Sequence, residues 1–249
     1  MNEVLQEIVR TGFTVLPSGE NVKVTSHIDE SCGELIQNVI RDIRPQVAVE
    51  VGLAFGISTL YILEALKETG GLKLIGMDPA QHDQTWRGGG LRNIQEAGYA
   101  DLYEFHENTS QQVLPALVAL EQGIGFAFID GWHTFDHTLI DFFYIDQMLE
   151  PGGVVVFDDV GGPGIKRACD FILTNRNYEI YGAVRLNEGN GSRARWKSKL
   201  ATLLDPVVRT DKTASLESRT RESNISDVYF LALRKRENDN RGWDHFVQF

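Results

Sequence analysis

The sequence has few cysteines, no long apolar run and fewer basic than acidic side chains. Cys32 and Cys169 are its two cysteines, and they stand far apart without the CxxC spacing of a zinc site. Two isolated thiols do not make the framework of a small secreted domain. No stretch approaches the ~18 consecutive apolar residues that a membrane helix needs. The sequence thus argues against a zinc site, a disulfide scaffold and a membrane-spanning protein.

The charge balance argues against a nucleic-acid partner. The chain carries 24 basic and 35 acidic side chains, a net charge of −11, whereas nucleic-acid binding usually needs a basic surface. We therefore expect a small-molecule ligand.

The first residues include Glu3 and Glu7 where a signal peptide would be basic and apolar, which predicts a cytoplasmic location. With 42% hydrophobic content, the 249 residues can fill one core, so we expect a single domain.

The hydrophobic pattern predicts an α/β fold. Short β-branched runs alternate with longer helical ones, and the short runs are too uniformly apolar for half-solvated strands, as in parallel strands covered on both faces. The predicted strands are Gln46 to Val51, Leu72 to Met77, Leu102 to His106, Ile124 to Ile129 and Val154 to Phe157. The predicted helices are Ile57 to Glu68, Leu91 to Ala97, Gln111 to Glu121, Thr134 to Leu149 and Ile165 to Asn175.

Two later runs, Tyr178 to Leu186 and Asp227 to Arg234, should pair antiparallel at the edge of the sheet. The expected fold is a Rossmann-like, doubly wound, seven-stranded and mostly parallel sheet with an antiparallel C-terminal edge strand. The domain is expected to comprise a helical segment (1–45), the core sheet (46–186 and 227–236), an insertion (187–226) and an aromatic tail (237–249).

Three features are expected outside the sheet. Glu30 to Ile43 has helical spacing and ends before Pro45, which predicts a helix there. Within the insertion, Arg193 to Leu204 is predicted to be a helix, because its apolar residues have helical spacing. In the tail, Trp243 and Phe246 are expected to dock on the domain or on a second copy in a homodimer, because aromatic rings rarely stand free in solvent.

A glycine-marked turn follows the first sheet strand and opens a helix. It runs from Glu50 through Gly52 and Gly56 to Ser58, and Asp78 stands at the end of the second strand. Glycines let the backbone approach a ligand, a helix N-terminus favours a negative group, and the second-strand carboxylate accepts ribose hydroxyls. The pattern predicts a nucleoside-binding crevice. The further glycines of a dinucleotide fingerprint are missing, so no diphosphate is expected.

Three acids follow the fourth and fifth predicted strands. Asp130 comes after the fourth strand, and Asp158 and Asp159 come after the fifth. Ligands of open α/β sheets bind at this edge, so we expect the three carboxylates to converge. They would repel one another unless a cation bridged them, and oxygen ligands suit Mg²⁺. The alternative is that Asp158 and Asp159 only cap the following helix.

These motifs resemble those of class I S-adenosylmethionine-dependent methyltransferases, in the metal-dependent branch similar to catechol O-methyltransferase. The first motif of that branch, Glu-x-Gly-x-x-x-Gly-x-Ser, is matched by Glu50, Gly52, Gly56 and Ser58. The resemblance implies that this turn and its serine hold the amino-acid end of the cofactor. It also implies that Asp78 takes the ribose hydroxyls.

The resemblance extends over residues 33–164 and covers the adenine end of the cofactor. Ser110 and Gln111 resemble the family's Ser-Gln pair at the adenine ring, although a helix N-cap and a first-turn residue would explain them equally well. Trp132 would form a wall of the cofactor pocket, since an indole covers adenine or the sulfonium well.

The resemblance also assigns the acid cluster and a base. In the family, one Asp and, after the next strand, an Asp-Asn pair hold a magnesium ion; here they are Asp130, Asp158 and Asp159, with Asp159 in place of Asn. His133 stands where catechol-type enzymes carry a lysine base, and a neutral imidazole accepts a hydroxyl proton near pH 7. The alternative is that His133 caps the helix beginning at Thr134.

The sequence therefore predicts metal-assisted O-methylation of a small hydroxylated acceptor, with S-adenosylmethionine and Mg²⁺ as cofactors. His133 would act as general base, and Asp130 would belong to the catalytic, cofactor-binding and metal-binding sets. Three alternatives stay open: a metal-independent methyltransferase, a nicotinamide-dependent oxidoreductase and a non-catalytic nucleoside-binding protein.

The insertion is basic on an otherwise acidic chain. Residues 193–222 contain eight basic and four acidic side chains. We hypothesise a lid that favours an anionic acceptor. A solvated helix at a subunit contact is an equally good reading.

Overall fold

The computed structural model describes residues 1–185, 195–196, 225 and 227–249. Its strands are β1 (Phe13–Val15), β2 (Asn21–Lys23), β3 (Val47–Val51), β4 (Lys73–Met77), β5 (Tyr103–His106), β6 (Ile124–Ile129), β7 (Leu149–Phe157), β8 (Tyr178–Arg185), β9 (Arg195–Trp196) and β10 (Val228–Lys235). Its α-helices are α1 (Glu3–Thr11), α2 (Glu30–Ile43), α3 (Ile57–Thr69), α4 (Gly89–Glu96), α5 (Ser110–Ala119), α6 (Phe135–Met148) and α7 (Pro163–Asn175).

Eight of the described strands form the central sheet, in the order β5-β4-β3-β6-β7-β10-β8-β9. Strands β3 to β7 are parallel to one another, whereas β10 is antiparallel to both of its neighbours. The predicted α/β fold with a Rossmann-like, mostly parallel sheet is confirmed. The seven predicted strands are present, and the two-residue β9 adds an eighth.

Helices cover both faces of the sheet, which explains why its strands are apolar on nearly every residue. Phe126 and Phe128 of β6 face one core, into which α2 and α3 also pack. Ala127 and Ile129 of the same strand face a second core shared with α5, α6 and α7. The helix predicted at Glu30–Ile43 has those bounds in the structure.

The C-terminal strand β10 is antiparallel, as predicted, but it lies between β7 and β8 instead of at the edge of the sheet. Phe230 faces the first core, and Leu231 and Leu233 face the second. A strand buried on both faces must satisfy its backbone N–H and C=O groups by pairing along both edges. Its two neighbours provide that pairing.

Two local expectations need correction. The helix predicted at Arg193 to Leu204 is wrong at Arg195–Trp196, which pairs with the outer edge of β8 and satisfies backbone groups there. The rest of that helix, the lid or assembly role of the insertion and its basic residues lie outside the described residues. Strand β7 begins at Leu149, directly after α6, and not at Val154 as predicted.

The N-terminal segment contains a hairpin as well as helices. Helix α1 is capped by Asn2 and ends at Gly12, and β1 then pairs antiparallel with β2. Sequence reasoning missed this hairpin. The Pro-Ser-Gly run at 17–19 between two short apolar stretches was the signal for it.

The tail contacts α7 through other residues than those expected. Trp243 is 99% exposed and Phe246 is 72% exposed, so the prediction that they dock on the domain is wrong. Instead, the Phe249 ring packs edge-on against Phe171 at 5.1 Å between centroids, and Asn175 exchanges two hydrogen bonds with the Val247 backbone. Phe249, and not Trp243 or Phe246, is thus the aromatic ring of the tail that packs against α7. Across the described residues, no helix combines the length and apolarity needed to cross a membrane.

Candidate active site

A cavity of about 630 Å³ opens at the carboxyl ends of the parallel strands. Most of the predicted site residues line it: Gly52, Ser58, Asp78, Ser110, Gln111, Asp130, Trp132, His133, Asp158 and Asp159. Glu50 and Gly56 are not among the lining residues. The structure thus brings the glycine turn and the acid cluster to one space, as the topology of open α/β sheets predicts.

Glu50 lies beneath the cavity and is fully buried in β3. Its carboxyl group accepts hydrogen bonds from Ser58 Oγ and Thr59 Oγ1, both 2.7 Å long. Burial raises the pKa of Glu50 to about 8, although these two hydrogen bonds act in the opposite direction. Glu50 therefore anchors the first turn of α3 and, with it, the serine that faces the cavity.

Both glycines of the turn have left-handed backbone, which other residues rarely adopt. The φ angle is +94° at Gly52 and +76° at Gly56. A Cβ atom on Gly56 would lie 3.3 Å from the Gly90 carbonyl oxygen, and one on Gly52 would lie 2.2 Å from that of Asp130. The turn therefore packs directly against the strand end that carries Asp130.

Asp78 is buried at the end of β4, where it serves the turn as well as the cavity. Its Oδ2 accepts hydrogen bonds from the backbone amides of Leu53 (3.1 Å) and Ala54 (3.0 Å), and its Oδ1 accepts one from Ala80 (2.8 Å). A carboxylate has about four lone-pair sites, so Asp78 keeps capacity for about one ligand hydroxyl.

Ser110 and Gln111 begin α5 at the cavity wall. The N-cap of that helix is Thr109, so Ser110 is not the capping residue. Ser110 is nearly buried in that wall. Trp132 lines the cavity while staying 70% exposed, which places it at the outer rim.

His133 lies between two of the three predicted acids. Its Nε2 is 3.1 Å from Asp130 Oδ1, and its Nδ1 is 3.0 Å from Asp159 Oδ2. The N-cap of α6 is Thr134, so His133 is not the capping residue. The hydrogen bond to Asp130 raises the pKa of His133, which favours the protonated ring. Within the described residues, no group of three or more His, Cys, Asp or Glu side chains has the geometry of a metal site.

Asp158 and Asp159 follow directly after β7, which ends at Phe157. Because the strand stops there, the alternation of side chains no longer sends the two acids to opposite faces. Burial, followed by the charge of Asp130, raises the pKa of Asp158 to about 7. Helix α7 has Gly162 at its N-cap and no side-chain capping bond, so the two acids do not cap it.

Sequence reasoning missed part of the cavity wall. Residues 26–28 and Trp86 also line the cavity. The Trp86 ring packs edge-on against Phe55, with 5.2 Å between centroids. The glycine run at 88–90, which packs closely against the first glycine turn, was an available signal for the second of these segments. Residues 26–28 carry no comparable signal.

Comparison with known proteins finds methyltransferases. Residues 49–160 match a family model described as a methyltransferase domain. Catechol O-methyltransferase from Bos taurus is 25% identical over 157 residues, which cover 61% of this chain and 55% of that protein. The chain thus spans about half the length of the curated relative that it matches.

Solved structures share the fold at low sequence identity. An O-methyltransferase from Bacillus cereus, solved with S-adenosylhomocysteine, has a TM-score of 0.62 at 14% identity, covering 94% of this chain and 92% of that one. TomG, an O-methyltransferase from Streptomyces achromogenes solved with S-adenosylmethionine, has a TM-score of 0.62 at 15% identity, covering 95% and 91%.

Fold, motifs and comparisons point to one class of protein. Residues 49–160 are similar to a methyltransferase domain, and the chain shares its fold with solved O-methyltransferases. Over 157 residues it is similar to catechol O-methyltransferase, the type that its motifs resemble.

Proposed function

We propose that this protein transfers a methyl group from S-adenosylmethionine to a hydroxyl oxygen of a small acceptor. The observation that carries the proposal is that one cavity is lined both by the glycine turn with Asp78 and by the Asp130–His133–Asp159 cluster. The first set has the chemistry to hold a nucleoside, and the second has the chemistry to take a proton. A net charge of −11 supports a small-molecule acceptor, and a cytoplasmic location belongs to the same proposal.

On this proposal the glycine turn places the methyl donor. Ser58, held by Glu50, would bind its amino-acid end, and Asp78 would accept a hydrogen bond from a ribose hydroxyl. The acceptor oxygen would then form a bond to the methyl carbon while the carbon–sulfur bond breaks, leaving a neutral thioether. Holding both reactants in line supplies much of the rate enhancement in such a transfer.

Asp130, Asp158 and Asp159 would hold a magnesium ion. Their carboxylate oxygens are the ligands that Mg²⁺ prefers. Burial, and then the nearby charge of Asp130, raises the pKa of Asp158. The negative charges of these acids thus repel one another, and a bound cation would offset that repulsion. When bound, the ion would supply positive charge that lowers the pKa of an adjacent hydroxyl.

His133 would accept the acceptor's hydroxyl proton. Both of its ring nitrogens face carboxylates, so the neutral ring must release one of these contacts to act as a base. Asp130 would then stabilise the imidazolium that forms after proton transfer, because a charged acceptor strengthens that hydrogen bond.

A metal-independent methyltransferase is the second candidate. The observation in its favour is that His133 lies between Asp130 and Asp159 and contacts both. Within the described residues, these acids do not have the geometry of a metal site. The experiment is a methylation screen against catechols, sugars and acidic metabolites, with S-adenosylmethionine, before and after chelation. Activity that chelation abolishes and Mg²⁺ restores supports the metal-assisted reaction, whereas full activity after chelation favours the second candidate. The absence of any S-adenosylhomocysteine binding would contradict both.

A further inference from the structure

Two buried amide side chains support the glycine turn from behind. Gln81 and Asn93 are 0% and 1% exposed, and neither is among the described residues that line the cavity. Gln81 Nε2 donates a hydrogen bond to the Ala54 carbonyl at 2.9 Å, and Asn93 Nδ2 donates one to the Phe55 carbonyl at 3.0 Å. Both side chains therefore act on the backbone of the turn, not on a ligand in the cavity.

Ala54 is the strained residue of that turn. Its φ angle is +48°, in the left-handed region that residues other than glycine seldom adopt. Such a conformation persists only where surrounding contacts hold it in place. Here the Ala54 amide donates to Asp78, and the Ala54 carbonyl accepts from Gln81. Gln81 is itself fixed, since its Oε1 accepts a hydrogen bond from the Gly90 amide at 2.9 Å.

Asn93, on α4, is oriented by a residue of the β1–β2 hairpin. Thr14 is buried in β1, and its Oγ1 donates a hydrogen bond to Asn93 Oδ1 at 2.7 Å. An amide side chain donates only through its nitrogen, so a donor held at the oxygen end leaves the nitrogen end to face Phe55. Without that donor the amide is free to turn over and set its oxygen against the Phe55 carbonyl, where two acceptors repel each other. An unbroken chain of buried hydrogen bonds thus connects the hairpin to the glycine turn.

We propose that Asn93, oriented by Thr14, is a positioning residue that holds the glycine turn in the conformation that binds the cofactor. The Phe55 carbonyl immediately precedes Gly56, which is the N-cap of α3. Fixing that carbonyl therefore fixes the start of α3, where Ser58 lines the cavity. The hairpin thus contributes to cofactor binding although it does not line the cavity itself. This inference rests on the proposed function, which puts the methyl donor on that turn.

The test measures the Kd of S-adenosylhomocysteine by calorimetry on the full chain, well below the melting temperature of each variant. Thr14→Val keeps the shape of the side chain but removes its hydroxyl, so we expect the Kd to rise about fivefold or more. Thr14→Ser keeps the hydroxyl and should bind within about twofold of the wild type. Tyr178→Phe is the matched control, because it removes a buried hydrogen bond to Asp146 outside the cavity lining. It should lower the melting temperature and leave the Kd unchanged.

Asn93→Ala is the second variant, and it decides the test where Thr14→Val does not fold. It removes both hydrogen bonds and should weaken binding at least as much. Adding Thr14→Val to Asn93→Ala should cause no further loss of affinity, because Thr14 acts through Asn93. A lower melting temperature with an unchanged Kd in the folded variants would show a purely structural role and overturn the inference. Failure of the wild type to bind S-adenosylhomocysteine would instead overturn the proposed function, and this inference with it.

Discussion

The backbone of Gly52 lies directly against the backbone of Asp130: a Cβ atom built on Gly52 would be 2.2 Å from the Asp130 carbonyl oxygen. The two residues follow neighbouring parallel strands, and the Asp130 amide donates to the Val51 carbonyl at 2.9 Å. The turn proposed to bind the cofactor and the acid proposed to bind the metal are thus in direct contact. A change at one position must displace the other.

Gly52→Ala should lower the free energy of unfolding by several kcal/mol, because it adds a backbone clash to a φ of +94°. Urea denaturation checks the stability, and calorimetry checks S-adenosylhomocysteine binding, which should weaken as well. Gly12→Ala is the matched control, since Gly12 has a φ of +73° but nothing within 4 Å of the new Cβ. It should cost about 1 kcal/mol. Equal destabilisation by the two variants would contradict the contact argument.

Asp78→Ala should weaken S-adenosylmethionine binding by roughly 1–3 kcal/mol, because a ribose hydroxyl loses its charged acceptor. It should also lower the melting temperature, since the amides of Leu53 and Ala54 lose the oxygen that accepts their hydrogen bonds. Asp78→Asn keeps one carbonyl acceptor, so its affinity and its melting temperature should lie between those of Asp78→Ala and the wild type. Calorimetry that finds unchanged affinity in Asp78→Ala would remove this residue from the binding site; exposed Asp83→Ala serves as control.

Glu50 should make the protein less stable as the pH rises from 5 to 8. Its pKa in the folded state is about 8, well above the value near 4.3 of an unfolded chain, so the folded state holds the proton more tightly. The stability contributed by the protonated carboxyl is fully present below about pH 4.3 and is lost as the pH rises through about 8. Urea denaturation at several pH values measures the trend.

Glu50→Gln removes the titrating proton while keeping a group that can bond to Ser58 and Thr59. Relative to the wild type, it should reduce the loss of unfolding free energy between pH 5 and pH 8 by more than ~1 kcal/mol. Glu68→Gln, at a half-exposed ion pair with Arg41, is the control and should leave the slope unchanged. The same slope in wild type and Glu50→Gln would show that Glu50 is ionised in the folded state.

His133→Ala should lower kcat by roughly 10²–10⁴-fold, the usual effect of losing a general base, while S-adenosylhomocysteine affinity stays close to that of the wild type. His133→Lys, which restores the residue type of the resembled enzymes, should recover part of the rate. His106→Gln, at a histidine paired with Glu104 outside the cavity lining, should retain full activity. A His133→Ala enzyme with nearly normal turnover would assign proton removal to another group.

Local pattern was enough to predict the elements and the place of the site. The strand Ile124–Ile129 and the helix Glu30–Ile43 have their predicted bounds, because burial on both faces and helical spacing leave a direct mark on residue order. The convergence of Asp78 with Asp130 and Asp158 followed from topology, since parallel strands end at one edge of the sheet.

Tertiary structure decided what each side chain contacts. Glu50 belongs to the motif expected to hold the cofactor, yet it is buried beneath the cavity, where it accepts a hydrogen bond from Ser58. Nothing in the order of residues indicated that His133 would stand between Asp130 and Asp159. Periodicity determines which face a residue presents, whereas its hydrogen bonds and pKa depend on the neighbours that distant elements bring to it. For that reason the sequence determined the class of fold and the edge where the site lies, and only the packed structure assigned the partners within it.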